Sequence, residues 1–370
     1  MNDISRDLIY LLSCSVNGVT PDAARVQTMD LENVWGLAEY HMVPAATCIA
    51  LERAGVKRKD FHETLSKAVR KNIYFDLERQ AIFDAFEEQG IWYLPMKGII
   101  LKELYPENGM RQMSDNDVLC DADKMEKVKE IMVSHGYTVK SIGKGHHDIY
   151  YKAPILNFEM HRSLFPAKRS KVFWDYYVDV KRFMIKDENR EYEYRLSDED
   201  FYVYFTAHEH KHDDLSGIGI RTLLDRYVFL KEKGDSLDWS YVEEQESLLG
   251  TKDFEIARRE LARKLFSGET IPELTADEEK ILTEYLRAGA SGNMQVYVQK
   301  QLEKQSKPRF VLECFFPKME YMKRSVPFVA KCPLLYPVGA VWRWVRILIT
   351  RKGIVSTILK ALKKRYDKKV

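Results

Sequence analysis

The stretch that decides the fold reads Ile91-Trp-Tyr-Leu-Pro-Met-Lys-Gly98 and resumes as Arg111-Gln-Met-Ser-Asp-Asn-Asp-Val-Leu-Cys120. Its first part is a short apolar run that predicts a buried strand, after which Lys-Gly turns the chain into a short helix. Its second part predicts another strand that begins at Asp115. Because side chains two residues apart on a strand share a face, we expect Asp115 and Asp117 to point the same way.

The flanking sequence predicts an α+β fold around a small mixed sheet. Before Gly90, apolar residues recur at helical spacing. Three further strands are expected around Val139, Tyr150 and Phe158. Helical patterns resume from Phe201. We therefore predict four parts, listed in chain order: an N-terminal helical segment over 1–90, an α/β core over 91–166, a helical domain over 167–305 and a basic amphipathic tail over 306–370.

Composition is ordinary for a globular protein. The 370 residues are 45% hydrophobic and 31% charged, with a net charge of +2, so no global basic field indicates a nucleic-acid partner. The five cysteines are scattered without CxxC spacing, as expected for reduced thiols of a cytoplasmic protein. The N-terminus shows no signal-peptide pattern. The best membrane candidate, Val338 to Ile349, has 12 residues and two arginines, too few apolar residues to span a bilayer.

The carboxylates indicate a metal site. Asp115 and Asp117 repel each other unless a cation neutralises them, and Mg²⁺ favours one or two carboxylates together with substrate phosphates. Glu159 lies within an apolar strand, where an acid is costly to bury without a partner. A shared metal would provide that partner. The alternatives are a surface Asp-Asn-Asp turn and an arginine partner for Glu159.

Several residues around this pair suit phosphate binding. Gly98 at the start of a helix would let backbone N–H groups approach an anion, and Lys97 would add a point charge. The alternative is an ordinary strand-to-helix turn. Arg111 could bind a phosphate, orient Asp117 or be a solvated loop arginine, and Ser114 could anchor a triphosphate or cap the turn.

At these residues the chain resembles the nucleotidyltransferase superfamily typified by DNA polymerase β. More narrowly, it is similar over about residues 30–250 to a bacterial family of uncharacterised nucleotidyltransferases. The positions that carry the resemblance are Leu94-Pro-Met-Lys97-Gly98, Leu104-Tyr105-Pro106, Arg111, Met113, Asp115, Asp117, Gly136-Tyr137, Glu159, His161, His208, His212, Gly219, Arg221, Leu224-Asp225 and Asp238-Trp239. The chain departs from the superfamily at Gly98-Ile99, where Gly-Ser or Gly-Gly is usual.

The resemblance implies a reaction. Asp115, Asp117 and Glu159 would hold two Mg²⁺ ions while an acceptor hydroxyl attacks the α-phosphate of a nucleoside triphosphate and pyrophosphate leaves. The acceptor would be a small molecule, a sugar, an RNA or a protein. Part of the motif is also similar to nucleotidyltransferase toxins, so an RNA-directed toxin is one alternative. A non-catalytic nucleotide-binding or regulatory module with the same fold is another.

Histidines and one arginine are expected on the substrate side. His161 shares a strand face with Glu159, where it would touch substrate or only bond at the sheet edge. His208 and His212 share a helix face, and we favour an acceptor-pocket or structural role over zinc because no defined set of ligands accompanies them. By resemblance, Arg221 also lies on this side, although an ion pair with Asp225 four residues on is the simpler expectation.

Two further segments are interpreted less specifically. His146-His147-Asp148 precedes a predicted strand and is most simply a polar turn. From Arg343 to Lys369 the tail carries ten basic residues against one acid, with an apolar stripe at helical spacing. This pattern predicts either peripheral contact with an anionic membrane or RNA, or a helix packed on its own domain with a solvated basic face.

Overall fold

The computed structural model describes residues 1–350 and Ile358, except for four positions: Lys144, Lys168, Arg169 and Ser291. The basic end of the predicted tail, from Arg351 onward, therefore lies outside the described residues apart from Ile358. The chain forms two compact units, a larger one over 1–211 and 220–286 and a smaller one over 212–219 and 287–370. The four-part division expected from sequence stays a prediction.

The larger unit is built around a mixed sheet of five strands: β1 (Tyr93–Pro95), β2 (Asn116–Cys120), β3 (Thr138–Ser141), β4 (His147–Lys152) and β5 (Leu156–His161). Their order across the sheet is β1-β2-β5-β4-β3. Strands β2 and β5 run parallel, and the other neighbours pair antiparallel. The sheet and its flanking helices confirm the predicted α+β class.

Helices occupy most of the rest of this unit, in the order α1 (Asp3–Asn17), α2 (Ala23–Thr28), α3 (Leu31–Tyr40), α4 (Pro44–Arg53), α5 (Lys59–Glu88), α6 (Gly98–Leu101), α7 (Met125–Ser134), α8 (Lys171–Tyr177), α9 (Asp198–Ser216), α10 (Ile220–Lys233), α11 (Trp239–Leu249), α12 (Lys252–Phe266) and α13 (Ala276–Ala288). Two short strands, β6 (Ile185–Lys186) and β7 (Tyr194–Arg195), pair with each other. The helix expected after Gly98 is split, because α6 ends at Leu101 and a 3-10 turn follows.

The two faces of the sheet pack against different helices. Val118 and Phe158 lie in a core shared with Ile82 of α5 and Met132 of α7. Leu119 lies in a second core that includes Tyr204 of α9. Because side chains alternate along β2, Asp117 shares the face of Leu119. The candidate site therefore lies on the face of the sheet that packs against α9.

The smaller unit is helical in its described part, with α14 (Met294–Lys304), α15 (Lys307–Phe315), α16 (Met319–Ser325), α17 (Pro327–Lys331) and α18 (Tyr336–Thr350). Its small core contains Met322, Val326, Val329 and Ala340. Within the described residues of the chain, no helix is long and apolar enough to cross a bilayer.

Candidate active site

Register brings two of the predicted acids together. In the parallel β2–β5 pair, Asp117 lies directly opposite Glu159, and Leu119 lies opposite His161. Asp117, Glu159 and His161 each offer one potential metal-ligand atom, and these three atoms lie within 4.8 Å of one another. Their side chains meet because all three project from the same face of adjacent strands. The sequence had placed the acids on separate strands, and the parallel pairing aligns them.

Asp117 is held between two donors. Lys97 Nζ donates to Oδ2 at 2.9 Å, and His161 Nε2–H donates to Oδ1 at 2.9 Å. Asp117 is only 4% exposed. Burial alone would raise its pKa, but the Lys97 charge and the His161 hydrogen bond hold the pKa well below its usual range. Asp117 is therefore ionised although it is buried, and its carboxylate pairs with the ammonium group of Lys97.

Lys97 has a strained backbone at the end of β1. Its φ of +38° is unusual for a residue with a side chain, and such strain is often found at functional sites. The ammonium group also donates to His208 Nε2 on α9 at 3.3 Å. Burial would lower the pKa of Lys97, yet the Asp117 carboxylate raises it above its ordinary value. In this structure Lys97 forms an ion pair with Asp117, the carboxylate that was predicted to bind metal.

Asp115 lies just before β2 among cationic side chains. Burial and the adjacent Asp117 raise its pKa, while the charges of Lys97 and Arg221 oppose that rise. Lys71 of α5 also lies within electrostatic range, since burial lowers its pKa and Asp115 opposes the change. Lys71 was not singled out from the sequence, because nothing in its helical context distinguishes it from other lysines. The three cations give this side of the site the charge that a polyphosphate requires.

Comparison with known proteins decides the family. The family model described as "Uncharacterised nucleotidyltransferase" matches residues 27–267, well over half of the chain. The chain belongs to this nucleotidyltransferase family. No curated protein and no solved structure matches it.

In this nucleotidyltransferase Arg111 is a buried structural partner. Its Nε and Nη2 donate to the two carboxylate oxygens of Asp225 on α10 at 2.8 and 3.0 Å, and Tyr105 donates to the same carboxylate at 2.7 Å. The alternative of a solvated loop arginine is wrong. The expected Arg221–Asp225 ion pair is also wrong, because Asp225 pairs with Arg111 and Arg221 donates to the Gln112 carbonyl at 3.3 Å.

Gly98 is required by packing at this point. A Cβ added there would lie 2.8 Å from Arg111 Nη1 and 3.1 Å from Met113 Cε. Gly98 begins α6, which has only four residues, so the dipole of this helix stabilises an anion only weakly. Ser114 Oγ lies 3.9 Å from the sulfur of Met42, another residue with positive φ, +55°. Phosphate binding by Gly98 and Ser114 stays a prediction.

Histidines from the hairpin and from β5 complete the site. His147 is the first residue of β4, so the polar turn expected at His146-His147-Asp148 is wrong for its last two residues. His147 Nε2 lies 3.5 Å from Glu159 Oε2. Burial, followed by the charges of Asp117 and Asp115, raises the pKa of Glu159 to about 7.

The two histidines of α9, His208 and His212, belong to different compact units. His208 belongs to the larger unit and contacts Lys97, whereas His212 belongs to the smaller unit. Among the residues that the structure describes, neither histidine is part of a cluster able to hold a metal ion. The substrate-side assignments of His161, His208, His212 and Arg221 stay predictions.

Proposed function

We propose that this nucleotidyltransferase moves a nucleoside monophosphate from a nucleoside triphosphate to an acceptor hydroxyl. The observation that carries the proposal is the placement of Glu159 opposite Asp117 on adjacent parallel strands, with Asp115 two residues before Asp117. Three acids grouped at the start of β2 and within β5, beside the cations Lys71 and Arg221, suit a metal–triphosphate complex.

The donor set fits Mg²⁺. Carboxylate oxygens are the ligands that this hard cation prefers, and Asp115, Asp117 and Glu159 would hold it. Both Asp117 oxygens accept hydrogen bonds, one of them from Lys97. In the substrate complex Lys97 would leave Asp117 and donate to the triphosphate instead. Lys97 would thus pair with Asp117 in the free site and with a phosphate group in the substrate complex.

The bound Mg²⁺ would supply charge stabilisation for the attacking and leaving oxygens. In the transfer, the acceptor oxygen forms a bond to the α-phosphorus, and the bond from that phosphorus to the oxygen bridging the β-phosphorus breaks. Pyrophosphate carries away the bonding electrons. The acceptor's proton passes to a Glu159 carboxylate oxygen, the acid that lies opposite Asp117 on the neighbouring strand. Lys71, Lys97 and Arg221 would orient the triphosphate.

The decisive experiment follows the α-phosphate. Purified protein, Mg²⁺ and α-labelled nucleoside triphosphates are incubated with fractionated cell extract, and label is sought in small molecules, RNA and protein. We expect transfer by the wild type and a loss of at least about 100-fold in Asp115→Ala, as for removal of a catalytic electrostatic group.

The chain offers a matched control for this variant. Asp121 and Asp123 repeat the same spacing directly after β2, but Asp121 only caps a 3-10 turn and Asp123 is exposed. Asp123→Ala should transfer label at the wild-type rate. Equal transfer by Asp115→Ala would refute the site, and no transfer by the wild type in any fraction would favour the non-catalytic module. Label confined to RNA would identify the toxin type.

A further inference from the structure

Three histidines gather beside the carboxylates. His146 lies in the β3–β4 loop, His147 begins β4, and His161 ends β5, which pairs with β4 so that His147 and His161 are direct partners. Their ring centroids are 4.7 to 5.3 Å apart. One ring nitrogen from each histidine lies within 4.8 Å of the other two. This cluster uses two residues, His146 and His147, that the proposed transfer reaction does not need.

The protonation of His161 is set by its carboxylate partner. Asp117 is a buried anion and accepts from His161 Nε2, so Nε2 carries the proton and Nδ1 carries the lone pair. His161 is 4% exposed, and its Nδ1 is buried without a hydrogen-bond partner in the described part of the chain. Such an orphaned acceptor is costly. Nδ1 of His147 is also buried and has no hydrogen-bond partner among the described residues.

We propose that His146, His147 and His161 form a binding site for a divalent transition-metal ion of the Zn²⁺ class, adjacent to the proposed magnesium site. Neutral imidazole is a preferred ligand for Zn²⁺, Co²⁺ and Ni²⁺, whereas Mg²⁺ prefers oxygen. Three protein ligands with an open fourth position is a common zinc arrangement. A ligating histidine typically donates its other N–H to a carboxylate, as His161 does to Asp117.

The geometry requires only a small adjustment. At Zn–N distances of about 2.0–2.1 Å, tetrahedral ligand nitrogens lie roughly 3.3 Å apart. One ring nitrogen from each histidine lies within 4.8 Å of the others, so that set must close by about 1.5 Å at most; ligation through His161 Nδ1, with Nε2–H kept on Asp117, requires the rings of half-buried His146 and His147 to turn toward that atom. Glu159, 3.5 Å from His147, adds the negative charge that a dication needs nearby.

Direct metal binding tests the site without any assay of transfer. Protein stripped with a chelator is titrated calorimetrically with Zn²⁺ in the presence of excess Mg²⁺, and Co²⁺ substitution is followed by visible absorption. We expect one ion per chain with a Kd of about 1 µM or tighter, a binding free energy near −8.2 kcal/mol. His146→Ala and His147→Ala should each weaken binding by about 100-fold.

Controls separate this site from the proposed transfer site. His62→Ala removes a histidine whose side chain is 70% exposed and should leave Zn²⁺ binding unchanged. Asp115→Ala should also retain the Zn²⁺ ion, even though it abolishes transfer. Absence of saturable one-to-one binding in the wild type would overturn the inference. Wild-type affinity in the His146→Ala, His147→Ala double variant would do the same, and a thermal melt in chelator checks that each variant is folded.

Discussion

Two residues at the site, Met42 and Lys97, adopt positive φ angles of +55° and +38°. Both also contact functional candidates, since Met42 lies against Ser114 and Arg221, and Lys97 binds Asp117. A residue with a Cβ holds such a conformation only when surrounding contacts compensate for its cost. In this conformation the Lys97 ammonium lies 2.9 Å from Asp117 Oδ2. At Lys97, a strained backbone and a charged side chain that binds Asp117 therefore occur in the same residue.

Gly98 provides the first test at the residue scale. Gly98→Ala should lower the free energy of unfolding by about 1–3 kcal/mol, because the added methyl group meets the Arg111 guanidinium that Asp225 holds in place. Urea unfolding measures the change. Gly36→Ala is the control: it lies in α3 with open space around its Cβ position, and it should be neutral or stabilising by up to about 1 kcal/mol. Equal effects in both variants would contradict the packing argument.

Glu246 of α11 provides a pH-dependent test. Burial raises its pKa to about 8, so the folded state favours the protonated form. Its stabilising contribution is complete below the ordinary glutamate pKa of 4.5 and is lost as the pH rises toward 8. Glu246→Gln stays neutral, so it should be more stable than the wild type by on the order of 1–3 kcal/mol at pH 8 and equal to it near pH 4.5.

Thermal melts across this pH range measure the difference. Glu244→Gln changes an exposed glutamate of the same helix and should show no such trend. A stability gap for Glu246→Gln that is the same at both ends of the range would refute the assignment.

At the scale of elements, the loop before β2 is fastened to α10 by a buried ion pair. Arg111 and Asp225 are 8% and 3% exposed and join through two hydrogen bonds. Removing one partner of a buried pair leaves an uncompensated charge. The pair fixes the loop that carries Ser114 and Asp115 into β2, while phosphate binding by Arg111 stays a prediction.

Arg111→Ala should lower the free energy of unfolding by about 3–5 kcal/mol, because it strands the Asp225 carboxylate in the interior. Chemical denaturation measures the loss. The control is Lys127→Ala, which breaks an exposed ion pair with Glu130 on α7 and should cost less than about 1 kcal/mol. A loss for Arg111→Ala as small as that for Lys127→Ala would show that the buried pair contributes little.

Elements were largely predictable from sequence. Apolar runs and alternation predicted all five strands of the mixed sheet, and helical spacing predicted helices before Gly90 and from Phe201 onward. Errors arose where local signals compete. The start of β4 at His147 was missed because histidine and aspartate resemble a turn. The helix expected after Gly98 ends as an α-helix at Leu101 and continues as a 3-10 turn.

At the scale of the whole molecule, ligand binding should stabilise the larger unit. A nucleoside triphosphate with Mg²⁺ at about 100 times its Kd raises the free energy of unfolding by about 2.7 kcal/mol, since it binds only the folded state. A thermal shift should appear for the wild type and for Asp123→Asn, and should be absent in Asp115→Asn at the same concentration. A full shift in Asp115→Asn would remove this carboxylate from the metal site.

The α+β class and the succession of the core strands along the chain were predictable from the sequence, because these depend on periodicity and spacing within short segments. Tertiary structure decided the alignment of Asp117 with Glu159, the pairing of Arg111 with Asp225, the approach of Lys71 and the histidine cluster. Those contacts join residues far apart in the chain, so no local pattern specifies them. They arise only when strand pairing and the packing of α5, α9 and α10 bring distant side chains onto one face.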